Sequence, residues 1–187
     1  MATKIKGINK DWTLFLDRDG VINQEKDKDY IHTWDEFIFY DGVKEAFKIF
    51  NSIFKYIIVV TNQRGVGTGV TQLNNLHIIH QNMKAEIEIN GGRVDGIYFC
   101  PDIDPNSPNR KPNAGMALQA KQDFPAIDFN KSIMIGNTLS DMGFGRNIGA
   151  ITIFLPTTRP EVSHTESSID AVYKSLFHFA ETLQSFR

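Results

Sequence analysis

The stretch WTLFLDRDGVIN, residues 12–23, decides how the rest of the chain is read. An almost wholly apolar run of strand length ends on two acids, Asp17 and Asp19, set either side of Arg18 and followed by Gly20. A buried carboxylate without a partner is expensive, so the pair either sits in solvent or faces a cation. Glycine permits the turn that leans both acids toward one point, where a hard divalent ion such as Mg2+ offsets their desolvation. An Asp-x-Asp pair alone is more often a solvated turn. The buried strand before it and the glycine after it favour a site.

Four further apolar runs have strand length: YIIVV (56–60), VDGIYFC (94–100), SIMIG (132–136) and AITIFL (150–155). Between them lie helical stripes, Val43, Ala46, Phe47, Phe50 and Phe54 in the first and Leu73, Leu76, Ile79, Met83 and Ile87 in the second. Residues 114–124 and 139–148 are shorter candidates, and 167–186 reads as a closing helix with Ala171, Leu176, Phe179 and Leu183 turned inward. Continuously apolar strands alternating with helices predict a doubly wound, Rossmann-like α/β fold whose parallel sheet is covered on both faces. One domain over residues 1–187, without a large cap insertion, is expected.

The composition narrows the partners. A net charge of -2 and a pI near 6.2 give no general attraction to nucleic acid or anionic membrane. The lone Cys100 forms no internal disulfide. The opening MATKIKGINKDW has no apolar core of signal-peptide length, and no run of about 18 apolar residues occurs. The expectation is a cytoplasmic monomer with no membrane or nucleic-acid partner.

In such sheets ligands bind outside the carboxyl ends of the strands, so the segments that follow the strands carry the chemistry. After YIIVV come Thr61 and Asn62 and then glycines at 65, 67 and 69, which read either as an anion cradle of main-chain N–H groups or as a plain connection. No Lys-Ser or Lys-Thr follows, so this is not a P-loop. RKPNAGM brings Arg110 and Lys111 to the same rim, with Pro112 restraining the backbone behind the lysine. After SIMIG, Asn137 could offer an oxygen to a metal, Asp141 could pair with Lys111, and an Asn or Thr there could equally cap the following helix.

Taken in order, DRDGVIN, TNQRGVG, RKP and GNTLSDM resemble the four motifs of the haloacid dehalogenase superfamily of phosphohydrolases. The resemblance spans about residues 12–155 and is nearest to the small uncapped branch of heptose-bisphosphate and histidinol phosphatases. It implies that Asp17 is the nucleophile forming an aspartyl-phosphate and Asp19 the general acid and base. It implies Mg2+ held by Asp17, the Asp19 carbonyl and Asn137, and phosphoryl oxygens bound by Thr61 and Lys111. Asn62, Gln63, Arg64, Arg110, Thr138 and Tyr30 would lie near the substrate, with Asp141 supporting. The substrate class implied is a small phosphorylated metabolite, a heptose 1,7-bisphosphate first and histidinol phosphate second.

Two positions depart from that pattern. The family usually has an acid where this chain has Asn137, and a unit charge at about 4 Å in an effective dielectric near 20 is worth roughly 4 kcal/mol before desolvation, so weaker Mg2+ binding is expected. A phosphate-binding protein with weakened turnover is the rival reading. The branch often carries a zinc loop, but the matching positions here are Cys100, Asp102, Ser107 and Asn109, so no structural zinc is expected. His77 and His80 read as helix-surface or partly buried residues. Trp34, Phe37, Phe39 and Tyr40 read as a hydrophobic edge.

Overall fold

The computed structural model of the chain describes Ile5 and residues 7–186. Residues 1–4, 6 and 187 lie outside the described residues, and with them part of the reading of the opening segment. Twelve elements follow in chain order: β1 (Thr13–Leu16), α1 (Val43–Ile53), β2 (Tyr56–Asn62), the single turn α2 (Arg64–Gly67), α3 (Leu73–Ile89), β3 (Gly96–Cys100), α4 (Gly115–Asp123), β4 (Ser132–Gly136), α5 (Leu139–Ile148), β5 (Ile151–Phe154), β6 (Ala171–Val172) and α6 (Leu176–Ser185). Short 3-10 turns cover Trp34–Glu36 and Phe129–Lys131.

The strands form one parallel sheet in the order β3-β2-β1-β4-β5-β6. β1 lies at its centre, with Leu14 opposite Ile57 on one side and Ile133 on the other. Because successive side chains alternate faces, the sheet feeds two cores. Leu14, Leu16, Ile57, Val59, Ile133 and Ile135 pack under α1, α3 and α6. Phe15, Ile58, Val60 and Met134 pack under α4 and α5. Both faces of β1 and β4 are covered, which is why TLFL and SIMIG are apolar throughout.

The expected doubly wound α/β sheet is present, with three local differences. Leu73 is 46% exposed, because α3 begins at that residue and its buried stripe starts at Leu76. Ala171 belongs to β6, which pairs with Ile153 and Phe154, so the closing helix begins only at Leu176 behind the N-cap Ser175. A two-residue edge strand is too short to show an alternating pattern. Two of the 65–69 glycines let loops pack: a Cβ on Gly65 would strike Thr71 and Tyr30, and one on Gly67 would strike the Pro101 carbonyl. Trp34, Phe37 and Phe39 stack together against the core beneath α1, and no helix among the described residues is long and apolar enough to cross a membrane.

Candidate active site

The carboxyl ends of β1, β2 and β4 and the segment before α4 meet around a cavity of about 200 Å³. Asp17, Asp19, Tyr30, Thr61, Asn62, Gln63, Lys111, Asn137, Thr138 and Asp141 line it, residues spread over 125 positions of chain, from 17 to 141. Arg64 is exposed outside it, and Arg110 turns back to donate to the Asp102 carbonyl at 3.1 Å.

β1 delivers Asp17 buried and then stops, because the chain folds into a tight loop in which the Ile22 and Asn23 N–H groups both donate to the Arg18 carbonyl. Gly20 sits in that loop at φ +81°, and a Cβ there would fall 2.0 Å from Asn137 Nδ2. The glycine is required twice, for the left-handed turn and for the approach of β4's end.

Lys111 is the electrostatic centre. Its Nζ lies 2.8 Å from Asp17 Oδ1 and 2.7 Å from Asp141 Oδ1, and donates to the Val60 carbonyl at 2.8 Å. Asn62 holds the lysine's backbone from both sides, accepting from its N–H at 3.0 Å and donating to its carbonyl at 3.2 Å. Burial works against the ammonium, but Asp141 and Asp17 outweigh it and raise its pKa. One cation thus serves two buried carboxylates. Burial, with repulsion from Asp141, pushes Asp17 up to about 7 despite the attraction of Lys111. Both donors to Asp17, Lys111 and the Arg18 N–H, fall on Oδ1.

Asp19 is held differently. Burial tends to raise its carboxyl, yet the Arg18 guanidinium, Asn23 and Gln63 together bring it below the ordinary value. Arg18 Nη2 lies 2.8 and 2.9 Å from its two oxygens, Asn23 Nδ2 donates to Oδ1 at 2.9 Å, and Gln63 Nε2 donates to Oδ2 at 2.8 Å. Gln63 also donates to Thr61 Oγ1 at 2.9 Å, so one side chain registers two loops. Arg18 is only 1% exposed, and its Nη1 meets His80 Nε2 at 3.1 Å. A guanidinium only donates, so that ring nitrogen accepts and the imidazole is neutral. Burial and Arg18 push the His80 pKa down to about 3.

Arg18 and His80 are the residues the sequence reading missed. Strand alternation places position 18 on the face of Leu14 and Leu16, and His80 falls on the buried stripe of Leu76, Ile79 and Met83. Both signals were legible, but nothing in the pattern linked them across 62 residues. His77, by contrast, is exposed.

At the end of β4 the two candidate uses of NTLSD separate. Thr138 caps α5 in a capping box with Asp141, and its Oγ1 donates to Asp141 Oδ2 at 2.7 Å. Asn137 is released from that duty. It is 1% exposed, its Nδ2 donates to Thr158 Oγ1 at 2.6 Å, and its Oδ1 is buried with no hydrogen-bond partner among the described residues. A buried amide carbonyl with no donor beside it is unfavourable unless a cation takes the position. With the surplus carboxylate charge of Asp17 and Asp141 alongside, the residues present fit a hard divalent ion. Among the described residues no three His, Cys, Asp or Glu side chains gather as a metal group, so neutral oxygens must complete that shell.

The loop after β3 is closed by side chains: Ser107 Oγ donates to Asp102 Oδ2, Asn106 N–H to Asp104 Oδ1, and Asn113 Nδ2 to the Ser107 carbonyl. Cys100 is fully buried at its base.

The model of the polynucleotide kinase 3 phosphatase family matches residues 4–176. The chain is 33% identical over 170 residues to the D-glycero-alpha-D-manno-heptose-1,7-bisphosphate 7-phosphatase of Mycobacterium bovis, covering 90% of each chain. It is 38% identical over 142 residues to the protein of the same name from Campylobacter jejuni, covering 76% of this chain and 80% of that one. Its structure is similar to the D,D-heptose 1,7-bisphosphate phosphatase of B. bronchiseptica solved with magnesium and phosphate, with a TM-score of 0.82, 27% identity and coverage of 94% and 99%. The four motifs, the sheet that carries them and these likenesses agree, and the chain belongs to the haloacid dehalogenase phosphatases, within the family that the polynucleotide kinase 3 phosphatase model describes.

Proposed function

We propose that the chain is a Mg2+-dependent phosphomonoesterase that works through an aspartyl-phosphate on a small phosphorylated sugar, with a heptose 1,7-bisphosphate as the leading candidate. The observation that carries this reading is the convergence of Asp17, Asp19, Thr61, Lys111 and Asn137 on one small cavity. Phosphoryl transfer needs little beyond positioning and neutralisation of charge, and this cavity offers both.

In this reading Asp17 attacks phosphorus in line with the leaving oxygen, and Lys111 and Thr61 meet the equatorial oxygens of the transferring group. Asp17, the Asp19 carbonyl and Asn137 Oδ1 would hold Mg2+, which when bound would supply positive charge to neutralise the phosphoryl group and lower its repulsion from Asp17. Asp19 carries protons, first to the leaving oxygen and then from the water that opens the phosphoenzyme. Its ring of donors favours the carboxylate, which suits the water-activating step and works against the first, proton-giving one. Asn62 holds Lys111 on station, and Asp141 shares that lysine's charge.

The ligand class follows from the mouth. A second cavity of about 670 Å³ adjoins the first through Glu25, Lys26, Asp29 and Tyr30. Four acids (Glu25, Asp27, Asp29, Glu161) face three bases (Lys26, Lys28, Arg159) there. Such mixed charge suits the hydroxyls and second phosphate of a sugar better than a polyanionic strand, whose binding needs a cationic excess. This supports the small-metabolite reading over a nucleic-acid 3' end.

The test is a phosphate-release screen over heptose 1,7-bisphosphate, other sugar phosphates, histidinol phosphate and a 3'-phosphorylated oligonucleotide, with Mg2+ or with EDTA. The expected result is release that requires Mg2+, with the heptose bisphosphate first in kcat/KM. A leading oligonucleotide overturns the substrate class. No phosphoenzyme on Asp17 together with no phosphate release in single turnover overturns catalysis in favour of binding alone.

A further inference from the structure

We infer that Glu25 is a positioning residue for the cation site, supplying from the loop after β1 the negative charge that the neutral Asn137 lacks. This rests on the reading of Asp17, the Asp19 carbonyl and Asn137 as cation ligands.

The geometry around the Asn137 amide carries it. Which way a buried amide points is set by the partners of its NH2 group. Here both are acceptors: Thr158 Oγ1 at 2.6 Å, and Glu25 Oε2 at 3.4 Å, a long contact. A carboxylate only accepts, so Glu25 makes the reversed amide repulsive and leaves Oδ1 directed elsewhere. That oxygen is buried and without a partner among the described residues, and its residue lines the same cavity as Asp17, Asp19 and Glu25. Outer groups that orient a metal ligand in this way contribute strongly to affinity.

The same contact carries charge. Lys111 is shared between Asp17 and Asp141, and Arg18 is bound to Asp19, so those acids are already partly neutralised. Among the described residues Glu25 pairs with a looser cation, Arg159 at 3.5 Å and 45% exposed. Its charge faces the cavity from behind the Asn137 amide, which it meets through Nδ2. An aspartate at 137 would instead place a second carboxylate against Glu25, so the pair Glu25 and Asn137 works as a unit in which only one member is charged.

The experiment is Mn2+ binding, by the electron paramagnetic resonance of free Mn2+, to wild type, Glu25→Gln, Asn137→Asp and the double variant, each checked for native circular dichroism. Glu25→Gln is expected to raise the Mn2+ dissociation constant about 10-fold or more. Asn137→Asp alone is expected to give no tighter binding, while the same change on the Glu25→Gln background recovers most of the loss. Thr158→Val, which removes the other acceptor, is expected to weaken binding as well. Glu25→Gln binding Mn2+ as tightly as wild type, or Asn137→Asp alone binding it more tightly, overturns the inference. Wild type that binds no Mn2+ overturns the cation site itself, a separate result from either.

Discussion

The neutral imidazole beneath the site has a measurable consequence in acid. His80 is 6% exposed and its Nε2 accepts from Arg18, so protonation would set a second cation against a buried guanidinium. Its pKa falls from 6.5 to about 3 on folding. The unfolded chain then binds the proton more tightly than the native state, so stability is intact above pH 6.5 and is lost as pH falls toward 3. The two values make His80 destabilising by about 2 kcal/mol at pH 5, with a slope approaching about 1.4 kcal/mol per pH unit below that. Urea unfolding of wild type and His80→Gln at about pH 7.5 and about pH 5 isolates the effect. Glutamine offers Arg18 a neutral acceptor that does not titrate, and every other group cancels in the comparison. Wild type is expected to lose about 2 kcal/mol more than the variant over that interval. Equal losses would mean that His80 is not held neutral against Arg18.

Asp17→Asn is expected to cut phosphate release below about a thousandth of wild type while leaving the fold intact, since the amide removes one of two carboxylates competing for Lys111; full activity in a release assay would displace Asp17 as nucleophile. Lys111→Ala leaves both acids buried and unpaired, and urea midpoints should report a loss of about 3–5 kcal/mol; a loss near zero would show the triad to be solvated. Thr138→Ala removes the cap of α5 and should cost about 1 kcal/mol in the same assay. Gly20→Ala combines a left-handed backbone with a collision at Asn137, so a melting temperature equal to wild type would contradict the loop geometry.

The fold was legible because burial on both faces writes itself as unbroken apolar runs, and TLFL and SIMIG are such runs. β6 was not, since two half-buried residues at a sheet edge carry no pattern. Asp17 and Asn137 could be singled out because each directly follows a strand, Thr61 because it ends the apolar run of β2, and Lys111 because it stands shortly before α4, all at the rim where a parallel sheet presents its ligands. Arg18, His80 and Glu25 could not be paired in advance. Their significance lies in contacts spanning 62 and 112 residues of separation, which depend on the angle at which α3 and the β1 loop settle on the sheet. The glycines at 65 and 67, whose composition left an anion cradle and a plain connection both open, let loops touch.

The two reciprocal bonds between the Asn62 amide and the Lys111 main chain imitate a rung of sheet pairing, and they tie the lysine to β2 itself. Its ammonium is therefore fixed independently of the ten residues, 101–110, that lead up to it. That span, none of whose residues lines the site cavity or its mouth, can be shortened, lengthened or stapled in new ways while the charge at the reacting centre stays where it is. Loop length and charge placement are mechanically uncoupled here, and one asparagine uncouples them.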